Sequence, residues 1–131
     1  DSYFWSKETM SKTIYYKKGQ TLFDEGSCSD SAFIIESGEI EISKVNEKGE
    51  KVVIDVLEQS EIVGEMGLID GKPRSATAMA KTNSTVREIT QDQFKDISKN
   101  NPQAMMPILK VLTKRLRKTL QTFVDNSRRK V

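Results

Sequence analysis

EIEISKVNEKGEKVVIDVL, residues 39–57, alternates acidic and apolar side chains, breaks at a polar turn, and then resumes a β-branched run. Ile40 and Ile42 point to one side of an extended chain while Glu39, Glu41 and Ser43 point to the other, as a strand with one wet face requires. The loop NEKGE then joins EIEISKV to KVVIDVL, and a hairpin is the simplest pairing of the two. Runs of the same kind lie on both sides: TIYY, TLF, SAFIIE, SATAMA and STVREI fall between Thr13 and about Thr90. Gly, Ser, Asn and Asp clusters separate them at roughly 8–12 residue spacing, the cadence of an antiparallel barrel or jelly roll.

After Thr90 the period lengthens toward that of a helix. Thr90 and Gln93 form a capping box for a short helix to about Lys99, and Asn101-Pro102 supplies a cap and a first-position proline for the next. From Met105 the apolar positions Met105, Leu109, Leu112, Leu116 and Phe123 read as a coiled-coil seam, with Thr119 at the vacant seam position. On spacing alone Thr119 is a register device or a packing compromise. Pro107 inside this pattern predicts a kink near 101–107. The fold class is therefore mainly β with flanking helices: an antiparallel β jelly roll (double-stranded β-helix) followed by a C-terminal helical segment. The expected organisation is one domain over 1–131, with the β-roll at about 13–90 and helices at about 91–125.

Composition narrows the function classes. The chain has 131 residues, 36% hydrophobic and 31% charged, enough for one core. No stretch approaches the roughly 18 consecutive apolar residues of a spanning helix, and DSYFWSKETM lacks the layout of a secretion signal. A cytoplasmic setting is the default expectation. Cys28 is the single cysteine, read as a small half-buried loop residue. The opening on Asp1 in place of methionine suggests a piece of something longer. There is no histidine, which removes catalytic triads, imidazole metal cages and the cupin-type barrel enzymes. No catalytic residue and no metal ligand is assigned.

GEMGLIDGKPRSATA, residues 64–78, holds the candidate binding chemistry. The first amides of a short helix in GEMGLI lack internal partners and can meet an anion. Gly64 and Gly67 allow close approach of a backbone or ligand, and Arg74 brings a planar cation suited to phosphate oxygens. Glu65 repels phosphate and is better used on sugar hydroxyls. Acid for sugar and base for phosphate describe a nucleotide, although a surface Glu–Arg pair beside a turn is also common.

Gly64-Glu65-Met66-Gly67-Leu68 followed by Pro73-Arg74-Ser75-Ala76-Thr77 resembles the phosphate-binding cassette of cyclic-nucleotide-binding domains, whose pattern is Gly-Glu-x-x-Leu, a short spacer and Arg-x-Ala. Upstream, YKKGQTLFDEGSCSDSAFIIESGEIEIS is similar to that family's first strands, with Gly19, Gly26 and Gly38 at its turns. Downstream, AKTNSTVREITQDQFKDISKNNPQAMMPILKVLTKRL is similar to the bacterial catabolite-activator branch. The resemblance covers about residues 13–124. It implies that Glu65 accepts the ribose 2′-hydroxyl, that Arg74 and Ser75 hold the cyclic phosphate, and that amides around Met66 and Gly67 add donors. It also implies a purine resting on apolar strand residues under the long helix, with Thr119 reaching the exocyclic amine of adenine.

Some positions depart from the family pattern. Ser60 stands for a usual glycine, Ile62-Val63 for an aromatic, and Leu120 for a serine after the helix threonine. Ser75 supports either base, so cAMP is expected, with cGMP as the other ligand, mainly through Thr119. The resemblance further implies a regulatory module whose last helix is hinge and dimerisation element, coupled to an effector domain beyond Val131. The alternative is a ligand-free relative acting as a dimerisation or scaffolding module. The basic run Lys110, Lys114, Arg115, Arg117, Lys118, Arg128, Arg129 and Lys130 is read as a solvated coiled-coil flank. It leaves no helix–turn–helix, so no direct nucleic-acid or membrane contact is expected of this segment.

Overall fold

The computed structural model of the protein describes residues 12–129. The readings made on DSYFWSKETM, Lys130 and Val131 lie outside the described residues. Eight strands form: β1 (Lys12–Tyr16), β2 (Thr21–Phe23), β3 (Ser31–Ser37), β4 (Ile40–Val45), β5 (Lys51–Leu57), β6 (Ile62–Val63), β7 (Thr77–Ala80) and β8 (Ser84–Thr90). Helix α1 (Glu65–Asp70) lies between β6 and β7, while α2 (Gln91–Asn100), a 3-10 turn (Pro102–Met105) and α3 (Met106–Arg129) follow β8. The strands pair antiparallel in two four-stranded sheets, ordered β1-β8-β3-β6 and β2-β7-β4-β5. This is the expected jelly roll with a C-terminal helical segment.

Strand β3 shows why the run AFII, residues 32–35, is apolar at successive positions instead of alternate ones. Phe33 and Ile35 point between the sheets, where they meet Ile40, Leu57, Val63, Ala78 and Val86. Ala32 and Ile34 point the other way, into a second cluster with Ile62, Leu68, Ile89, Ile97, Ala104 and Ile108. The helices thus cover the outer face of the β3 sheet, and a strand buried on both faces loses its alternation. Each large side chain so buried stabilises the fold by about 1.5–3 kcal/mol relative to exposure.

The expected hairpin is β4–β5, with Ile40 opposite Leu57 and Val45 opposite Lys51. Its turn is closed by Asn46, whose Oδ1 accepts the Lys48 and Glu50 amides, each at 2.9 Å. The register slips between Ile42, opposite Asp55, and Ser43, opposite Val53, so Ile54 is an extra residue in a β-bulge. Ser60 follows at φ 73°, the only non-glycine with positive φ among the described residues. That explains the glycine expected at this turn.

The helical half needs three corrections. The capping box is present, with the Gln93 amide donating to Thr90 Oγ1 and the Thr90 amide to Gln93 Oε1. Asn101, however, makes no side-chain cap; its carbonyl accepts the Ala104 amide at the start of the 3-10 turn. Because α3 begins at Met106, position 107 falls in a first turn, where the amides have no intrahelical acceptor, and the proline breaks no bond there. The single seam is also two faces. Met105, Leu112 and the unpredicted Ile108 and Val111 pack on the β-roll side. Met106, Leu109, Leu116, Leu120 and Phe123 form an exposed stripe, Phe123 at 70% exposure. Period alone cannot separate two apolar stripes on one helix. Cys28 is exposed and free, since the β2–β3 loop holding it lies on the surface. Among the described residues no helix is long and apolar enough to cross a membrane.

Candidate functional site

Helix α1 is bounded by two left-handed glycines, Gly64 at φ 83° and Gly71 at φ 71°. A Cβ at Gly64 would press on the Arg74 guanidinium and the Phe23 ring, and one at Gly67 would collide with the Ser29 hydroxyl. Both glycines therefore serve close approach, Gly64 to the Arg74 and Phe23 side chains and Gly67 to Ser29 in the loop that follows β2. The β2–β3 loop, residues 24–30, grips the chain around Arg74: the Gly26 amide donates to the Arg74 carbonyl at 2.8 Å, and the Arg74 amide to the Ser27 carbonyl at 2.9 Å.

Arg74 is itself buried, at 5% exposure. Its Nη1 donates to the Gly64 carbonyl at 3.1 Å and its Nη2 to Ser31 Oγ at 3.4 Å, with Asp30 at 3.8 Å. The guanidinium lies 4.0 Å from the centre of the Phe23 ring, a cation–π contact. Its Nε is buried without a hydrogen-bond partner among the described residues. Burial pushes the Arg74 guanidinium below its ordinary value, against the opposing pull of the Asp30 and Glu88 carboxylates. A buried cation with one donor unsatisfied favours an anion beside it.

Glu65, at 2% exposure, does not bond to Arg74. Its carboxylate is ion-paired with Arg115 of α3, which also donates to the Ile62 carbonyl. Ser75 is exposed, and its hydroxyl donates weakly to the Met66 sulfur at 3.7 Å. Thr119 lies one helical turn beyond Arg115, and its hydroxyl donates to the Arg115 carbonyl.

All seven residues singled out from the sequence, Gly64, Glu65, Met66, Gly67, Arg74, Ser75 and Thr119, line one cavity of about 360 Å³ between the β-roll and α3. Ile42, Leu57 and Val63 give it apolar walls. The cavity combines a buried acid, a buried base and flat apolar surface, which suits an anionic ligand carrying a planar ring. Thr119 is exposed on α3 between Leu116 and Phe123, and it borders this cavity. Sequence reasoning missed Arg115, assigned to a solvated flank, and also Phe23, Asp30 and Asp55. Arg115 was within reach, because it precedes Thr119 by four positions and so shares its helix face.

Residues 13–101 match the family model described as cyclic nucleotide-binding domain. The cAMP-activated global transcriptional regulator CRP of Salmonella typhimurium is 30% identical over 105 residues, covering 79% of this chain and 50% of its own length. The chain thus spans about half the length of the curated relatives it matches first. The crystal structure of the Thermus thermophilus Catabolite Activator Protein shares the fold with a TM-score of 0.77 at 21% identity, over 89% of this chain and 55% of that one. The EAL enzyme Bd1971 in its cAMP-bound form is 32% identical with a TM-score of 0.64, over 88% of this chain and 32% of its own.

Proposed function

Because the chain belongs to the cyclic nucleotide-binding domain family, we propose that it is a cAMP-responsive regulatory module, residues 1–131 forming one such domain. Arg74, Ser75 and the amides around Met66 and Gly67 hold the cyclic phosphate, and Glu65 accepts the ribose 2′-hydroxyl. The purine lies against Ile42, Leu57 and Val63, and Thr119 accepts from its exocyclic amine. The observation that carries this reading is the burial of Glu65 and Arg74 on one cavity that α3 closes.

Ligand bridging the β-roll and α3 binds better when α3 is docked, so its binding shifts the position of that helix. The exposed stripe of α3 then serves a parallel two-fold dimer. The domain regulates and does not catalyse. One relative is named a transcriptional regulator and another an enzyme, so the effector coupled to α3 is not specified by this segment.

A second reading, a ligand-free dimerisation or scaffolding module, is favoured by one observation: the Glu65 carboxylate has a cationic partner within the chain, Arg115. Calorimetry with cAMP and cGMP side by side separates the two. One-to-one binding of cAMP per chain supports the sensor, and the absence of heat or of a thermal shift with either nucleotide supports the scaffold.

A further inference from the structure

Two successive residues of β5, Ile54 and Asp55, both border the cavity. On a regular strand neighbours point to opposite faces; here the bulge at Ile54 brings Asp55 opposite Ile42, which also lines the cavity. A carboxylate on a half-exposed strand is ordinarily solvated, but Asp55 is held. Its Oδ1 accepts the Val56 amide at 2.8 Å and the Lys118 ammonium at 3.1 Å. Its Oδ2 has no hydrogen-bond partner among the described residues.

Lys118 is the neighbour of Thr119, which stands about 6 Å further along α3 than Arg115, the partner of Glu65. Asp55 is therefore tied to the stretch of α3 beyond the sugar-binding acid. The Thr119 hydroxyl has its proton on the Arg115 carbonyl at 2.9 Å, so its oxygen faces an incoming group with lone pairs. A carboxylate also accepts and does not donate. The Lys118 ammonium is engaged by Asp55, and its side chain is 68% exposed. Asp55 and Thr119, which both line the cavity, accordingly offer it two acceptors.

We infer that Asp55 is a base-selecting residue: with Thr119 it reads the 6-amino group of adenine and rejects the 6-keto group of guanine. An amine supplies two N–H donors to the two oxygens, whereas a carbonyl sets oxygen against oxygen and leaves the carboxylate unpaired. This inference rests on the reading of the cavity as a cyclic-nucleotide site.

The test is calorimetry of cAMP and cGMP on the wild-type chain and on Asp55→Asn and Lys118→Met. The wild type binds cAMP at least about 10-fold more tightly than cGMP, and Asp55→Asn, which can donate to a carbonyl, narrows that ratio about 10-fold. Lys118→Met keeps the carboxylate and so keeps the ratio. On the wild type alone, the cyclic phosphate of unsubstituted purine riboside binds about 5-fold or more weakly than cAMP, a readout that needs no variant to fold. A wild-type preference for cGMP, an unchanged ratio in Asp55→Asn, an equal loss in Lys118→Met, or purine riboside binding equal to cAMP overturns the base reading. If those results accompany Arg74-dependent binding of cAMP, the nucleotide site itself stands. If the wild type binds neither nucleotide, the site reading fails and this inference falls with it.

Discussion

Arg115 pairs with Glu65 across 50 positions of sequence, joining the middle of α3 to the first residue of α1. The acid is nearly sealed from water, while the Arg115 side chain keeps 27% exposure. The same contact fixes the helix over the cavity and neutralises the carboxylate at its floor.

Arg115→Met leaves the Glu65 carboxylate buried and uncompensated, at a cost of about 3 kcal/mol of folding free energy. Glu65→Gln leaves no buried charge, and the freed guanidinium can hydrate, so it costs about 1 kcal/mol. Urea unfolding of the two variants gives the order directly. A smaller loss in Arg115→Met than in Glu65→Gln contradicts the assignment of this pair.

Arg74→Ala leaves the cyclic phosphate without its cation in a partly desolvated cavity, weakening cAMP by about 2–5 kcal/mol. Glu65→Gln weakens it less, and the 2′-deoxy analogue of cAMP shows little further loss in that variant. The four affinities form a cycle, and full additivity between the carboxylate and the hydroxyl refutes their contact.

Ser60→Gly relieves a left-handed backbone that costs an ordinary residue roughly 1–2 kcal/mol, against roughly 0.4–1 kcal/mol of added chain entropy when unfolded. The net is a gain of about 0.5 kcal/mol, read as a higher urea midpoint at unchanged slope. Affinity for cAMP stays the same. A lower midpoint shows that the serine side chain contributes more than the backbone strain removes.

Leu116→Asp places a charge in the exposed stripe formed with Leu109, Leu120 and Phe123. Sedimentation of the wild type shows a dimer that this variant weakens at least about 10-fold. Far-ultraviolet dichroism is unchanged, because Leu116 is outside both buried clusters. Identical sedimentation of the two proteins rules this stripe out as the interface.

Much of the architecture was legible because its signals are local. The alternation around Ile40 and Ile42, the capping box of Thr90 and Gln93, and the glycines beside Arg74 each depend on a few neighbouring residues. The cavity was legible through the same cassette. What escaped depends on which neighbour a residue meets across the fold. Arg115 could be placed on the Thr119 face of its helix, but its pairing with an acid 50 positions away has no local signal. Asp55 likewise owes its aim to a bulge two strands cannot announce before they pair. The two stripes of α3 merge in a list of apolar positions because only packing against β3 and β6 tells one from the other.

The two-sided burial of β3 anchors one end of α3. Its first two turns are riveted by Ile108, Val111 and Leu112 to the cluster that β3 backs. Beyond them the links to the β-roll are polar: Arg115 to Glu65 and the Ile62 carbonyl, and Lys118 to Asp55. In the movement proposed for α3, apolar packing holds its root and charged pairs hold its outer half, and of those pairs the more exposed Lys118–Asp55 link is the one salt screens most.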